Sequence, residues 1–430
     1  MARITRAESQ ERNRARILAA ARAEFAERGF GDVRIDDIAE RAELTRGAVY
    51  SNFPGKRALF FAALADRPAP GPALPDRPAL DRPALDLPAA DRAALDQAAS
   101  DRPVGGGRGR GADGTVRGAL GAVARSWMDQ VVAGGVADVR PGTGGDRAVS
   151  GRMERDLLPL VQAEESSRQA YAQLMTVHAT LFGLALERLG DARGRRLVRV
   201  AGAALTLLQG AAELAAVSPE LVRPADVVSA CERLADLDFG PGPLTPPARV
   251  RPYPVDLPWA PPPVAEALRG APAGLGGDGL VVFLGLRRLS ALEDVLRAVP
   301  PDAPVAAVAV TGDPAELGPL ARLVLARLGD HLRPAVPPAA WPPVRVVVDD
   351  LGAVAAAAGL PSPGDDTETA VRVSGGRLAA RADGRCAGHV LATHPYGEGP
   401  DGRMDDGPDG RMDDGPDGRV GRGTGEGGPR

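Results

Sequence analysis

Lysine is almost missing from this 430-residue sequence: of its 52 basic residues all but Lys56 are arginine. Asparagine is nearly as rare, at Asn13 and Asn52, and aromatic residues make up 3%. The two cysteines, Cys231 and Cys386, stand far apart with no second thiol near either, which excludes a readable disulfide framework or thiolate cluster. No metal-ligand cluster, no phosphate loop and no nucleophile, base and orienter stand together, so no metal, no cofactor and no catalytic residue are expected. GLGGDG at Gly274 precedes a strand-like run instead of following one, which excludes a dinucleotide fingerprint. The formal net charge of -4 excludes a chain that is basic throughout, so any nucleic-acid contact has to be confined to a patch. The N-terminal MARITRAESQERNRAR lacks the apolar core of a secretory signal. The longest apolar run, VAGAALTLLQGAAELAAV from Val200, contains Gln209 and Glu213 and reads as a buried helix rather than a membrane span. The expected location is cytoplasmic, with no membrane partner.

Low-complexity segments divide what is present. From Asp76 an aspartate recurs every fifth residue through Asp101, a period that fits neither helix nor strand, and with its prolines it marks 67–114 as a disordered insert. Residues 240–263 read as a Pro-rich linker, and 394–430, with its repeated GPDGRMDD, as a disordered acidic tail. Three ordered blocks remain, at 10–66, 115–239 and 264–393. A hydrophobic content of 44% is enough for real cores, and the length suits two to three domains.

The first block is helical. Ile17, Leu18, Ala21 and Phe25 form one apolar stripe, and Gly29 is placed to stop the helix. IDDIAERAELTRGAVYSNF then spells two short helices around a tight turn, with Ile38, Ala42, Leu44 and Val49 inward and small Ala39 where the helices cross. Asp36 and Asp37 suit the positive end of the first, and Thr45 caps the second. The second helix is rich in groups that bond phosphates and base edges: Thr45, Arg46, Tyr50, Ser51 and Asn52, with Gly47 allowing close backbone approach.

The stretch RAELTRGAVYSNFPGK resembles the signature of the TetR/AcrR family of transcriptional regulators, over residues 10–66. The resemblance implies a recognition helix from Thr45 in the major groove of a near-palindromic double-stranded DNA operator. It implies DNA contacts from Arg34, Thr45, Arg46, Gly47, Tyr50, Ser51, Asn52 and Lys56, with Lys56 as a phosphate ligand for which a compact ammonium fits better than a guanidinium. Two positions depart from the family pattern. Arg34 stands where Ser or Thr usually caps the first motif helix, and Glu43 replaces a turn glycine, at a cost of about 1 kcal/mol if the turn needs a positive φ.

The second block is again helical. From Leu197, Ala201, Ala204, Leu208, Ala211 and Ala215 share a small-residue face suited to close helix packing. By the same resemblance this segment and ADVVSACERLADL form the homodimer interface, and an unknown small-molecule effector binds among the preceding helices, with Arg125, Trp127, Tyr171 and His178 as candidate lining.

The third block changes period. LVVFLG, PVAAVAVT and VRVVV alternate with helical patterns, and TAVRVS and RLAARA flank Gly375 and Gly376 as a hairpin. The order βαβαβαββ, with a closing helix, resembles the thioredoxin-like fold in its peroxiredoxin form. A redox enzyme of that fold needs a thiolate where the helix after the first strand begins. GLRRLSAL holds Arg287, Arg288 and Ser290 there, and Cys386 lies beyond the hairpin. The expectation is a multidomain chain: an all-α TetR-type helix-turn-helix, a helical effector and dimerisation domain, and an α/β thioredoxin-like domain. It is expected to act as a dimeric repressor released by a small molecule, and not as an enzyme. The competing class is a thioredoxin-like redox enzyme, or a redox-linked regulator, tethered to a helical domain.

Overall fold

Five of the eight phenylalanines fall between residues 25 and 61, and they organise the first block of the fold. In the computed structural model, which describes residues 6–66, 114–136, 146–240, 250–301 and 303–394, this block is four helices. They are α1 (Arg6–Asp32), α2 (Ile35–Arg41), α3 (Arg46–Asn52) and α4 (Lys56–Ala65). Ile17, Leu18, Ala21 and Phe25 are buried as their spacing predicts. Gly29 does not stop α1 but kinks it, with φ 79°. Phe60 meets Phe25 and Phe30 edge-on, with ring centroids 5.2 and 5.4 Å apart, a geometry favoured by the ring quadrupoles. The expected insert at 67–114 and tail at 394–430, apart from Gly114 and His394, lie outside the described residues.

A helical body follows: α5 (Val116–Val136), α6 (Asp146–Ala163), α7 (Glu165–Glu187), α8 (Val198–Val217) and α9 (Pro224–Arg233). It is tied to the first block where Asp156 Oδ2 accepts the Phe30 N–H at 2.7 Å, beside the α1 kink. The helices α7 and α8 cross at Gly183, where any Cβ would overlap the Val198 backbone. Among the described residues α8 is the one helix long and apolar enough to cross a membrane, and its Val200, Ala201, Ala204, Leu205, Leu208 and Ala211 are buried within the protein. The small-residue face expected to meet a second copy is therefore turned inward. Leu214 and Val217, and Leu221 just beyond α8, are the large apolar groups this segment exposes instead.

The third block is a six-stranded sheet of order β1-β6-β5-β2-β3-β4. Its strands are β1 (Tyr253–Pro258), β2 (Gly279–Gly285), β3 (Val305–Val310), β4 (Val344–Val348), β5 (Glu368–Ser374) and β6 (Arg377–Asp383). Its helices are α10 (Ala291–Ala298), α11 (Leu317–Ala335), α12 (Ala353–Ala357) and α13 (Ala387–Thr393). From β2 onward the element order is the one read from the sequence. β2 runs parallel to β3 and antiparallel to β5, and is buried on both faces. Strand β1 corrects the linker: it lies within 240–263 and pairs antiparallel with β6 at the sheet edge. Prolines are tolerated there because an edge strand does not need every N–H, and the register shifts between Pro254 and Leu257.

The expected separation of helical and α/β domains is also corrected. The described residues up to His394 form one compact unit, and one apolar cluster runs from Phe25 and Leu174 through Leu320 and Leu328 to Val282 and Val305, a second lying around Phe283 and Val308. Helix α11 makes that continuity. It is buried nearly all round, from Leu317 to Ala335, and packs against α4, α5 and α7.

Candidate nucleic-acid interface

The turn that sets α3 on α2 contains Glu43 at φ 52°, the left-handed conformation that the usual glycine would adopt freely. Arg16 pairs with the Glu43 carboxylate at 2.9 Å across an exposed surface. Ahead of α2, the Arg34 side chain makes no cap. Asp37 supplies it instead, its Oδ2 accepting the Arg34 N–H at 2.9 Å. That N–H, followed by the Arg28 guanidinium, holds the Asp37 carboxyl below the usual carboxylate range. Thr45 opens α3 as expected, its Oγ1 accepting the Ala48 N–H at 3.2 Å.

Val49 is buried beneath α3, so the helix presents its other side outward. Thr45, Arg46, Gly47, Tyr50 and Ser51 are all exposed there. Arg46 lies over the Tyr50 ring, 5.5 Å from its centroid, and 3.2 Å from the Asp36 carboxylate. The Tyr50 hydroxyl first, then Asp36, push the Arg46 guanidinium up. Two of the expected contacts are engaged with their own helix. Ser51 Oγ and Asn52 Nδ2 both donate to the Ala48 carbonyl, at 2.9 and 2.8 Å, and Arg14 Nη1 donates to the Asn52 carbonyl at 3.4 Å. Arg14, which sequence reasoning missed, also lies 4.5 Å over the Phe53 ring, and so closes the end of the helix.

Lys56 begins α4, half-buried. Its Nζ is 4.4 Å from the Phe30 ring centroid and 3.4 Å from the Gly31 carbonyl. Burial moves the ammonium's pKa down, and the nearby Asp32 and Asp156 oppose that shift.

The candidate effector residues separate into two places. Trp127 of α5 and His178 of α7 converge on His331, which comes from α11. The Trp127 ring stacks on it at 4.7 Å, and the His178 ring lies 5.5 Å away. Tyr171 is half-buried two turns before His178 on the same side of α7, within the field of Arg327 from α11. Burial, reinforced by Arg327, holds the His178 imidazole down at about 3. Arg125 belongs elsewhere, paired with Glu232 of α9 at 3.0 Å. Sequence reasoning missed His331 because it lies 153 residues beyond His178, on an element read as part of another domain.

At the carboxyl end of β2, Arg288 is paired with the buried Glu368 at 2.7 Å, and Arg287 with Asp366. The Ser290 N–H, at the start of α10, donates to Oε1 of Gln173 from α7 at 2.8 Å. Cys386 is nearer to this corner than its place in the sequence suggests, since its N–H donates to the same Glu368 at 2.5 Å. Its thiol is pushed up by burial first, then by Glu368 and Asp294. Among the described residues no group of three or more His, Cys, Asp and Glu could hold a metal ion.

The profile of the bacterial regulatory proteins of the tetR family matches residues 17–63, a span that holds α2, α3 and the first turns of α4. Two curated proteins of Pseudomonas putida are similar over 70 residues, 16% of this chain, each at 47% identity. One is the HTH-type transcriptional regulator SrpR, of which 32% is covered. The other is the uncharacterised HTH-type transcriptional regulator TtgW, of which 52% is covered. The similarity thus spans about a third of the one and half of the other. With the turn, cap and exposed polar face in place, residues 17–63 are a TetR-family N-terminal helix-turn-helix domain.

Proposed function

We propose that the chain is a dimeric, sequence-specific DNA-binding transcriptional regulator, acting as a cytoplasmic repressor whose hold on its operator is released by a small molecule. The observation that carries this reading is α3, a short helix anchored by Val49 that leaves Thr45, Arg46, Gly47, Tyr50 and Ser51 exposed together. Hydroxyl and guanidinium groups at one helix end suit phosphate oxygens and base edges. The names of the two relatives, both HTH-type regulators, support the same class.

The exposed apolar groups Leu214, Val217 and Leu221 support a homodimer, because a second copy would cover them and a two-fold pair would present two α3 helices. Such a pair fits half-sites about 34 Å apart, or a multiple of that, on a near-palindrome. Trp127, Tyr171 and His178 remain the effector-facing group, with Arg125 outside it. The element order from β2 to α13 supports a thioredoxin-like reading of the α/β part. With Arg287, Arg288 and Ser290 where a thiolate would act, that part serves sensing or docking rather than catalysis.

Fluorescence anisotropy of a labelled duplex pool with the full chain tests the reading. Binding that weakens in Tyr50→Ala and Arg46→Ala supports α3 as the interface. Equal binding by both variants and the unmodified chain removes α3 from it.

A further inference from the structure

Helix α11 belongs to the α/β part by sequence, yet it is tied along its length to the helical part. Just before it, Glu316 Oε1 lies 2.8 Å from Nε of Arg57, in the first turn of α4. Arg57 also donates to Ser167 Oγ of α7 and lies 3.8 Å from Glu164. In its middle, Arg327 pairs with Glu154 of α6 at 3.3 Å. Toward its end, His331 closes the stack with Trp127 and His178. A second tie joins α10 to α7, through Ser290 and Gln173 at 2.8 Å and through Arg297 and Glu187 at 3.0 Å.

The other partner of α4 is the reading head. α4 starts four residues after α3 ends, and its Phe60 is locked between Phe25 and Phe30. We propose that α11 is a clamp that holds α4, and with it α3, in the DNA-reading orientation, so that the α/β part is a built-in regulator of operator affinity. This rests on the DNA-binding reading above. The Arg57 side chain is only 15% exposed, so removing Glu316 takes its nearest carboxylate from a largely buried cation and leaves it Ser167 and the more distant Glu164, which loosens the seat of α11 on α4. Two heads of a dimer must meet two half-sites at once, and a head restrained beforehand loses less freedom on binding.

The test uses the full chain as Arg57→Glu, Glu316→Arg and the double swap, with two readouts. One is hydrogen exchange of residues 56–65 and 317–335 without DNA. The other is affinity for a duplex selected by the unmodified chain. Each single variant is expected to speed exchange in both helices and to weaken operator binding about tenfold, the double swap recovering most of both, as coupled partners do. Glu316→Gln keeps the side-chain size and guards against misfolding: it is expected to melt cooperatively, exchange faster in α4 and lose about threefold in affinity, less than the charge reversals. Faster exchange in α11 with α4 unchanged, or faster exchange in both with operator affinity unchanged or increased, would overturn the clamp. A chain that selects no duplex defeats the DNA-binding reading instead, while joint exchange of the two helices still separates the clamp from it.

Discussion

The ammonium of Lys56 sits 4.4 Å from the Phe30 ring centroid, so the one lysine of the chain joins the start of α4 to the end of α1. A half-buried cation over a ring contributes about 0.5–1 kcal/mol. A guanidinium would have to spread where a compact ammonium meets both the ring and the Gly31 carbonyl at 3.4 Å. The same ammonium lies at the rim of the helix-turn-helix, and the phosphate role that the family resemblance implies for it is separable from the packing role. Lys56→Met keeps the stem and removes the charge. It is expected to lower stability by about 0.5–1 kcal/mol and to reduce the salt slope of DNA binding by about one unit. Thermal melts and salt titrations check the two separately, and an unchanged slope assigns Lys56 to packing alone.

Glu43 occupies φ 52°, and its pairing with Arg16 is solvent-exposed. An exposed pair is worth little, whereas a side chain in the left-handed region costs about 1 kcal/mol. Glu43→Gly is therefore expected to raise the stability of the chain, measured by denaturant midpoint, and not to weaken DNA binding. A lower midpoint would mean that the Arg16 pair outweighs the backbone term.

Dimerisation is expected to depend on Leu214, Val217 and Leu221, and not on the small residues of α8. Leu214→Glu with Val217→Arg should give monomers in analytical ultracentrifugation while leaving the melting temperature of the protomer nearly unchanged. Ala204→Arg strikes a residue only 1% exposed within the protomer and is expected to unfold it.

These contrasts mark what was legible in the sequence. The motif helices were, because their determinants are local: Thr45 caps within three residues, and Val49 and Ile38 point inward by period alone. The direction of the α8 face was not, since spacing tells that one side is small and apolar but not whether α7 or a second copy covers it. Strand β1 was hidden by prolines that an edge position tolerates. The meeting of His331 with Trp127 and His178 depends on α11 crossing from one sequence block into another, which no local pattern encodes.

Stability should fall in acid through His178. Its folded imidazole is held at about 3 against an ordinary value near 6.5, so between those values the unfolded chain binds the extra proton. The contribution is complete above about pH 6.5 and is lost as pH falls toward 3, at up to about 1.4 kcal/mol per pH unit. His178→Phe is expected to flatten this part of the pH profile of melting temperature, and an identical slope would show that other groups carry it.

The full chain is expected neither to consume peroxide nor to reduce insulin disulfides. Thiolate is the attacking species, and the Cys386 thiol is raised by burial, Glu368 and Asp294. Cys386→Ser should leave DNA binding unchanged under oxidising and reducing conditions. Peroxide turnover that vanishes in Cys386→Ser would make this a redox-linked regulator.

Selection of bound duplexes from a random library by the full chain tests most directly the claim that a pair of α3 helices reads DNA. Enrichment is expected of a near-palindrome whose half-sites lie about one helical turn apart, ~34 Å, or a multiple of it, and is expected to be lost in Tyr50→Ala. Recovery of no enriched sequence, or of a single unrepeated site bound equally by Tyr50→Ala, would contradict it.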